Sequence, residues 1–362
     1  MREMLGHSVL DGELGFPVMV VHREALAHNI AAMAAFARDH GLELAPHAKT
    51  HLSPEIAAMQ LDAGAWGLTV ATPRQAMTVR GFGVSRIMVA NQVVDPAGLR
   101  WAAGELERDP EFEFLSFADS VTGVGILAAH AGARPFRVLV ELGHDGGRAG
   151  CRSIDDLLDL ARHVQETEGV ELAGVAGYEG SLKTAEEVRK YLDLLQEAAE
   201  HLRIRTPILT VGGSQWFDVI GRHLVATQAR ILLRSGAYVT HDDGYYRERT
   251  PFNRMDGELW PALEVWAHVL STPEPGLAIV GMGKRDAPYD EGLPIPRRGG
   301  VTVVKMQDQH TVVHADGLKP GDLLAFGISH PCTAFDKWRE LPLVDREYRV
   351  VGTITTRFQE LT

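Results

Sequence analysis

The feature that most constrains the fold of this chain is a regular alternation of two kinds of segment between about residues 20 and 240. One kind is short, apolar and rich in β-branched residues, as buried strands are. The other is longer, rich in Ala and Leu, and helical in period. Segments of the first kind lie at 42–46, 66–71, 86–90, 113–117, 136–142, 171–177, 207–211 and 229–239. Segments of the second kind lie at 24–37, 54–63, 73–80, 96–107, 120–131, 153–167 and 184–203.

This alternation predicts the fold class. Strands that alternate strictly with helices pair in parallel. Eight such repeats within about 220 residues match the size and strand count of a TIM-type (β/α)8 barrel. An open, doubly wound sheet is the alternative, but no G-x-G-x-x-G sequence opens the first helix. We therefore predict an α/β protein whose barrel occupies residues 20–248.

The composition and the hydrophobic pattern of the sequence change after about residue 250. Pro and Gly become frequent, and short runs with alternating apolar residues appear at 301–306, 310–314 and 347–354. Residues 318–326 have the composition of a turn that leads into a strand. This part of the chain, 249–362, is predicted to form a second, mostly β domain.

Composition and charge exclude several classes of protein. The 362 residues are 45% hydrophobic and 23% charged, which is usual for a globular protein and too apolar for a disordered one. The net charge of −12 and the lack of a basic run argue against nucleic acid and anionic membranes as partners. No segment approaches the roughly 20 apolar residues of a membrane span, and there is no signal-peptide pattern. We expect a soluble cytoplasmic protein whose two cysteines, Cys151 and Cys332, are reduced.

Glycines follow the seventh predicted strand and recur in the eighth, near the strand ends where barrel enzymes hold their ligands. Gly212 and Gly213 precede Ser214, and Gly236 lies within the eighth strand segment. Because glycine lets backbone N–H groups approach an anion closely, and barrels commonly bind phosphate after strands seven and eight, these loops are candidates for a phosphate site. A tight strand-to-helix turn is the alternative explanation of the Gly-Gly pair.

Lys49 lies just after the first predicted barrel strand, between His47 and His51. Poor solvation and neighbouring cations both lower the pKa of an amine and make it nucleophilic towards carbonyl groups. Such a lysine opposite a phosphate site suggests pyridoxal 5′-phosphate (PLP), a cofactor that enzymes bind through a lysine Schiff base. A solvated loop lysine is the alternative.

The segment His330-Pro331-Cys332 in the β-rich part of the chain offers two good ligands for Zn²⁺. A His and a Cys two positions apart in a turn can bind one ion, and they leave coordination positions open for water or substrate. This arrangement suits a catalytic ion rather than a structural one. A buried cysteine beside an unrelated loop histidine is the alternative.

Taken together, these residues carry a resemblance. The stretch from Pro46 to His51 (PHAKTH) is similar to the P-H-x-K-[TA]-H motif of the D-threonine aldolase and eukaryotic-type D-serine dehydratase family. The resemblance continues, in chain order, through Gly146–Arg148, Tyr178–Ser181, Gly212–Ser214, Ser235–Tyr238 and His330–Cys332. It implies an alanine racemase-like barrel that uses PLP. It also implies that residues 1–19 join 249–362 in a β-rich domain that carries a metal site.

The resemblance implies roles for individual residues as well. Lys49 would hold the cofactor and abstract the Cα proton, and Arg148 would lie near the phenolic oxygen of the cofactor. Tyr178 would contact the cofactor and, with Lys49 and Arg148, form the catalytic set. The cofactor-binding set is completed by His47, Ser214 and Ser235, and by four phosphate contacts, Gly212, Gly213, Gly236 and Tyr238. His330 and Cys332 would bind a divalent metal, Zn²⁺ in the first place, with Mn²⁺ and Mg²⁺ as alternatives.

Two reactions fit this set of residues. A metal that polarises a β-hydroxyl promotes its loss, whereas a metal that lowers the pKa of that hydroxyl promotes cleavage between Cα and Cβ. Dehydratase members of the family pair His with Cys at the metal, and well-known aldolase members pair His with Asp. Cys332 therefore favours a lyase that converts a D-3-hydroxy amino acid (D-serine, D-threonine or 3-hydroxyaspartate) to a 2-oxo acid and ammonia. D-Threonine aldolase activity is the first alternative, and an amino-acid racemase and a non-catalytic PLP carrier are the others.

Several positions have no assigned role. No residue matches the expected partner of the pyridine nitrogen, and Lys183 has no match either. Lys284 and Arg285, in a glycine-rich run, could contact a substrate carboxylate or lie in a solvated turn. Asp308 and His310 could form a pair beside the metal or a polar hairpin tip. The resemblance also implies a homodimer.

Overall fold

The computed structural model describes residues 4–224 and 227–360, which form one eight-stranded and one nine-stranded sheet. In chain order the strands are β1 (Val18–His22), β2 (Glu43–Leu44), β3 (Leu68–Val70), β4 (Arg86–Gln92), β5 (Glu113–Ala118), β6 (Phe136–Leu142), β7 (Val170–Gly177), β8 (Ile208–Val211), β9 (Arg230–Leu233), β10 (Leu263–Glu274), β11 (Leu277–Val280), β12 (Ile295–Pro296), β13 (Thr302–Met306), β14 (Thr311–His314), β15 (Leu323–Gly327), β16 (Glu340–Val344) and β17 (Val350–Thr355). The helices are α1 (Arg23–Asp39), α2 (Pro54–Asp62), α3 (Pro73–Gly81), α4 (Pro96–Arg108), α5 (Val121–Ala128), α6 (Ile154–Glu166), α7 (Ala185–His201), α8 (Phe217–His223) and α9 (Tyr245–Arg249). Within these described ranges, no helix is long and apolar enough to cross a membrane.

Strands β2 to β9 form the eight-stranded sheet in the order β2-β9-β8-β7-β6-β5-β4-β3, and every pair is parallel. Backbone hydrogen bonds also join the two end strands. The Trp66 N–H donates to the Leu44 carbonyl over 2.7 Å, and the Thr69 N–H donates to the Pro46 carbonyl over 2.9 Å. The predicted TIM-type barrel is therefore confirmed, and the C-terminal ends of its strands meet at one mouth.

Local sequence explains where the barrel helices begin. A Ser, Thr or Asp side chain caps each of the helices α2 to α7 by accepting a hydrogen bond from a backbone N–H of the first turn. Proline opens α2, α3 and α4, where its missing N–H would have no intrahelical partner in any case. The predicted strand 229–239 needs correction: β9 ends at Leu233, and Ala237–Val239 is a 3₁₀ turn. Helices α8 and α9 were absent from the prediction because each is short.

The nine-stranded sheet joins the start of the chain to its C-terminal part. It contains β1 and β10 to β17, and β1 lies between β10, its antiparallel neighbour, and β16, its parallel neighbour. Strand β1 spans the predicted boundary between residues 1–19 and 20–248, because its apolar residues run directly into α1 without a Gly or Pro. The strand is absent from the predicted elements for the same reason. The division into two domains itself stays a prediction.

A buried ion cluster ties the chain that leaves the barrel to the second sheet. Arg297 donates from Nη1 and Nη2 to the two carboxylate oxygens of Asp243, over 2.6 and 2.9 Å, and from Nε to Glu264 on β10, over 3.0 Å. The side chains of Asp243 and Glu264 are only 1% and 4% exposed. The two buried carboxylates thus share one guanidinium, with His22 near Glu264 and Arg247 near Asp243 as further positive partners.

We expect Arg297→Met to lower the free energy of unfolding by about 3 kcal/mol, because breaking a buried ion pair leaves uncompensated charges in the core. Urea unfolding of the purified protein would measure the loss. Arg162→Met is the matched control, since Arg162 and Asp159 form an exposed pair whose loss costs at most about 0.5 kcal/mol. Equal effects of the two substitutions would contradict the assignment.

Candidate active site at the barrel mouth

Lys49 lies at the mouth of the barrel, in a 3₁₀ turn (Ala48–Thr50) that follows β2. Its side chain remains accessible to solvent, but the surrounding protein displaces enough water to lower the pKa of its amine. The negative charge of Cys332 opposes this shift, and the positive charges of Arg148 and Arg234 add to it. A lowered pKa increases the neutral fraction of the amine, which is the form that attacks carbonyl groups and accepts protons.

The two histidines that flank Lys49 differ in their surroundings. Burial, together with the charge of Lys49, lowers the pKa of His47 well below its ordinary value, so this imidazole is neutral at pH 7. Burial also lowers the pKa of His51, to about 4, and its Nδ1 accepts a hydrogen bond from the Ser53 N–H over 3.1 Å. His47 Nδ1 and His51 Nε2 are buried without a hydrogen-bond partner among the described residues. An unpaired polar atom beside Lys49 is a feature that a bound polar cofactor would satisfy.

Arg148 and Tyr178 face each other across a cleft of about 340 Å³ at the ends of β6 and β7. The guanidinium carbon of Arg148 lies 5.5 Å from the centre of the Tyr178 ring. The Tyr191 hydroxyl fixes this edge, since it accepts from the Tyr178 N–H over 3.1 Å and donates to the Leu142 carbonyl. Burial raises the pKa of Tyr178, so its hydroxyl keeps its proton and remains a donor.

The same cleft contains a second polar pair, His144 and Ser181. His144 Nδ1 lies 3.1 Å from the Asp145 carbonyl, and His144 Nε2 lies 2.9 Å from Ser181 Oγ. If Nδ1 donates to the carbonyl, Nε2 is the acceptor for the serine hydroxyl. His144 has no predicted role, because its partner Ser181 lies in the loop after a different strand.

The glycine loops after β8 and β9, predicted to hold a phosphate, make contacts with the protein itself. The N–H groups of Gly212 and Gly213 donate to the carboxylate of Glu179, over 3.0 and 2.6 Å, and Glu179 is fully buried. Gly212 has a φ of +140°, and a Cβ at this position would lie 2.6 Å from the backbone nitrogen of Arg234. These two N–H groups, predicted to hold a phosphate, are therefore bonded to a carboxylate of the protein itself.

The other residues predicted to bind the cofactor phosphate differ in where they lie. Gly236 lies against the turn that carries Lys49, since a Cβ there would approach the His47 carbonyl to 2.7 Å. Ser235 Oγ donates to the Gly213 carbonyl over 3.0 Å, and Ser214 is half-buried in the neighbouring loop. The Tyr238 side chain points into the core instead, where its hydroxyl accepts from Gln60 Nε2 over 3.0 Å. Its predicted contact with a phosphate can thus involve only its backbone.

Glu179 is a residue that the sequence analysis missed, and its carboxylate holds the Gly212–Gly213 turn. We expect Glu179→Ala to lower the free energy of unfolding by about 3 kcal/mol, because it strands two buried N–H groups. Glu187→Ala is the matched control. Glu187 also accepts from two backbone N–H groups, those of Lys183 and Thr184, but it is exposed, so its loss should lower the free energy of unfolding much less than the loss of Glu179. Thermal and urea unfolding would compare them, and similar losses would refute the special role of Glu179.

Arg234 is a second residue that the sequence analysis missed. It is 4% exposed, and it donates from Nη1 to Thr210 Oγ1 over 2.8 Å and from Nη2 to the Gly177 carbonyl over 2.7 Å. A buried arginine at a strand end places a fixed positive charge inside the mouth. The sequence does contain an indication of this role, because Arg234 is a single charged residue directly after the apolar run of β9.

The predicted metal ligands follow β15. His330 Nδ1 lies 2.8 Å from Asp290 Oδ2, which leaves Nε2 as the nitrogen that can bind a metal. Burial works against protonation of His330, but its bonds to Cys332 and Asp290 outweigh burial and raise its pKa to about 9. Among the residues at 4–224 and 227–360, no group of three or more His, Cys, Asp or Glu side chains could hold a metal. His330 and Cys332 thus form a two-donor set.

Both cysteines are free thiols, but only one of them reaches the site. Cys151 is buried, and burial raises the pKa of its thiol to about 11, so it is a poor nucleophile and metal ligand. Cys332 is half-buried, and its charge influences the Lys49 amine. The thiol of Cys332 is therefore the one available for chemistry.

The two unassigned clusters of the sequence analysis contact each other. The Arg285 N–H donates to the Asp308 carbonyl over 3.2 Å, and the side chains of these residues lie 3.9 Å apart. The Lys284 amine lies 4.7 Å from the ring centre of Tyr289, which precedes the His330 partner Asp290. These contacts give no role to His310, which is exposed at the hairpin tip.

Comparisons with known proteins match most of the chain. The alanine racemase N-terminal domain family matches residues 21–230, and the serine dehydratase domain family matches residues 262–344. A D-threonine aldolase from Arthrobacter sp. is 31% identical over 326 residues, covering 85% of this chain and 82% of that protein. A D-threo-3-hydroxyaspartate dehydratase from Delftia sp. is 30% identical over 243 residues, covering 63% of this chain and 62% of that protein.

Solved structures share the fold over nearly the whole chain. The crystal structure of D-threonine aldolase from Filomicrobium marinum superposes with a TM-score of 0.87 at 24% identity, over 97% of each chain. A cysteine-to-alanine variant of a D-threo-3-hydroxyaspartate dehydratase, in its metal-free form, gives a TM-score of 0.76 at 23% identity, over 95% of this chain and 98% of that one.

An alanine racemase-like barrel with a lysine at its mouth and an added β-rich region defines a fold-type III PLP enzyme. Within that class, the chain belongs to the family of PLP-dependent lyases that contains D-threonine aldolases and D-3-hydroxyaspartate dehydratases. The resemblance found in the sequence is thereby confirmed.

Proposed function

We propose that this lyase removes water from a D-3-hydroxy amino acid and so yields a 2-oxo acid and ammonia. The observation that carries the proposal is a lysine amine at the barrel mouth together with the free, half-buried thiol of Cys332, whose charge raises the pKa of that amine against the effect of burial. A proton acceptor and a metal ligand therefore share one mouth, as elimination of a β-hydroxyl requires. The D configuration and the 3-hydroxy group follow the substrates named for the relatives.

The residues of the mouth fit PLP. Lys49 would hold the cofactor covalently, and His47 Nδ1 is a buried atom that lacks a protein partner. Arg148 and Tyr178 would contact its ring substituents from the opposite side of the mouth. Since Glu179 uses the N–H groups of Gly212 and Gly213, the phosphate contacts proposed here are Ser214, Ser235 and Gly236. When bound, PLP withdraws electrons from Cα of an amino acid and makes the Cα proton acidic.

The donor set of His330 Nε2 and Cys332 Sγ fits a divalent metal, and a thiolate with an imidazole favours Zn²⁺ over Mn²⁺ and Mg²⁺. When bound, the metal acts as a Lewis acid that polarises the β-hydroxyl oxygen and helps it to leave. The metal-free form described for a D-threo-3-hydroxyaspartate dehydratase supports a metal in this family.

Side chains of the protein supply the proton acceptor, the positive charge and a hydrogen-bond donor. Lys49 Nζ accepts the Cα proton, since its lowered pKa keeps part of the amine neutral. Arg148 and the buried Arg234 supply positive charge on which an anionic substrate can be oriented. Tyr178 keeps its proton and can donate a hydrogen bond, and Tyr191 holds it in place.

Retro-aldol cleavage is the second candidate, and one observation favours it. This reaction needs a base for the β-hydroxyl proton, and His144 Nε2, 2.9 Å from Ser181 Oγ, offers one in the cleft that Arg148 and Tyr178 line. Both D-threonine aldolase relatives are consistent with this candidate.

Incubation of the PLP- and Zn²⁺-loaded protein with D-threonine would separate these candidates, because the products differ. 2-Oxobutyrate with ammonia would support dehydration, and glycine with acetaldehyde would replace it by the aldolase. Racemisation that survives a chelator would point to a racemase, and no turnover of D-threonine or 3-hydroxyaspartate would leave a PLP carrier.

The proposal also includes a homodimer, which light scattering would test, and a cytoplasmic location.

A further inference from the structure

Asp290, in the loop between β11 and β12, contacts the predicted metal site without belonging to it. Its Oδ2 lies 2.8 Å from His330 Nδ1, and its Oδ1 accepts from the Thr333 hydroxyl over 3.3 Å. Both carboxylate oxygens are therefore directed at the turn that carries His330 and Cys332. No motif or spacing indicates this contact, since the two residues lie 40 positions apart.

A carboxylate at this distance decides which nitrogen of the imidazole can bind a metal. An ionised carboxylate only accepts hydrogen bonds, so His330 Nδ1 must carry a proton, and in the neutral ring that binds a metal Nε2 is left with the lone pair. The same bond fixes the rotation of the ring and increases the basicity of Nε2.

Two aromatic rings restrict the imidazole from other sides. The ring centres of Tyr245 and Tyr246 lie 5.5 and 5.6 Å from that of His330. The short helix α9 that carries them is held by Asp242, whose carboxylate accepts from the N–H groups of Tyr246 and Arg247. Asp290 thus supplies a carboxylate contact to an imidazole that is already confined by packing.

We propose that Asp290 is a positioning residue of the metal site, which sets the tautomer and orientation of His330 so that Nε2 faces the ion. This inference rests on the metal proposed above. It goes further in that it assigns a functional role to a residue outside the ligand pair. Loss of such an outer contact typically weakens metal binding by about 10- to 100-fold.

The test is calorimetric titration of Zn²⁺ into the PLP-loaded full-length protein and its variants. We expect Asp290→Ala to weaken Zn²⁺ binding by about 10- to 100-fold. Asp290→Asn, which keeps an acceptor but loses the charge, should fall between Asp290→Ala and the parent. Thr333→Val is the matched control, because it removes a hydrogen bond to Asp290 but leaves the acceptor of Nδ1 in place, so its affinity should stay within about threefold of the parent.

Co²⁺ substitution gives a readout that does not depend on activity. A cobalt–thiolate absorption that persists in Asp290→Ala, at a higher Co²⁺ concentration, would show that Cys332 still binds while the contribution of His330 is weakened. Unchanged affinity in Asp290→Ala would overturn the inference, as would an equal loss in Thr333→Val. Absence of metal binding in the parent protein would instead overturn the metal proposal itself, so the two failures are distinguishable. Melting temperatures of the metal-free variants would exclude general unfolding as the cause.

Discussion

Replacement of Lys49 by alanine will lower the turnover of a D-3-hydroxy amino acid by at least about 10³-fold. The substitution removes a proton acceptor, which alone contributes about 10² to 10⁴-fold, and also the amine that would attach PLP to the protein. Assay of the 2-oxo acid, or of glycine if the enzyme is an aldolase, would measure the rate. The absorbance of the bound cofactor would show in parallel whether the covalent attachment is lost.

A matched lysine provides the control for this experiment. Lys183 is exposed in the loop before α7, and Lys183→Ala should retain nearly the full rate. Addition of a small primary amine should restore part of the activity of Lys49→Ala, because it can enter the solvent-accessible mouth and replace the missing base. Retention of more than about a tenth of the rate by Lys49→Ala would show that another group performs the proton transfer.

Removal of the metal is the second large effect. We expect a chelator, or the substitution Cys332→Ala, to reduce lyase activity by about 10²- to 10³-fold, because a Lewis acid contributes several kcal/mol at a departing or deprotonated hydroxyl. Readdition of Zn²⁺ should restore the chelated parent but not the variant at low metal concentration. Steady-state rates over a Zn²⁺ titration would measure both.

The second cysteine of the chain serves as the control here. Cys151→Ala should keep both the activity and the dependence on metal, because Cys151 is buried and its thiol has a raised pKa. If Cys332→Ala and Cys151→Ala behave alike, the thiol of Cys332 does not bind the ion. Survival of racemisation in the presence of the chelator would show that the site acts on Cα without a metal.

The barrel could be predicted from sequence because each of its elements is encoded locally. Apolar runs define the strands, and capping residues such as Ser53, Thr72 and Ser153 define where helices begin. Strand β1 lacked such boundaries, and nothing local distinguishes it from the first turn of α1. Its place is decided by pairing with strands more than 200 residues away.

The candidate site was predictable only in part, for a related reason. Lys49, His330 and Cys332 stand out because their residue types are rare and reactive in such motifs. The roles of Glu179 and Asp290 depend on contacts with distant backbone and side-chain groups, which leave no periodicity or spacing in the sequence. The glycines at 212 and 213 form a pattern suited to binding an anion, and in the structure their N–H groups bind the carboxylate of Glu179, which the sequence pattern does not indicate.

The position of β1 between β10 and β16 sets the order in which this chain can fold as it is synthesised. Its first partner begins about 240 residues later, and its second about 320 residues later. At about 5 to 20 residues per second, a ribosome needs roughly 12 to 50 s to produce β10 after β1 has been made. Throughout that interval the nascent chain carries an unpaired apolar strand, Val18–His22. The N-terminal strand is thus a natural binding site for chaperones during translation, and slowing translation should increase the fraction of chains that aggregate.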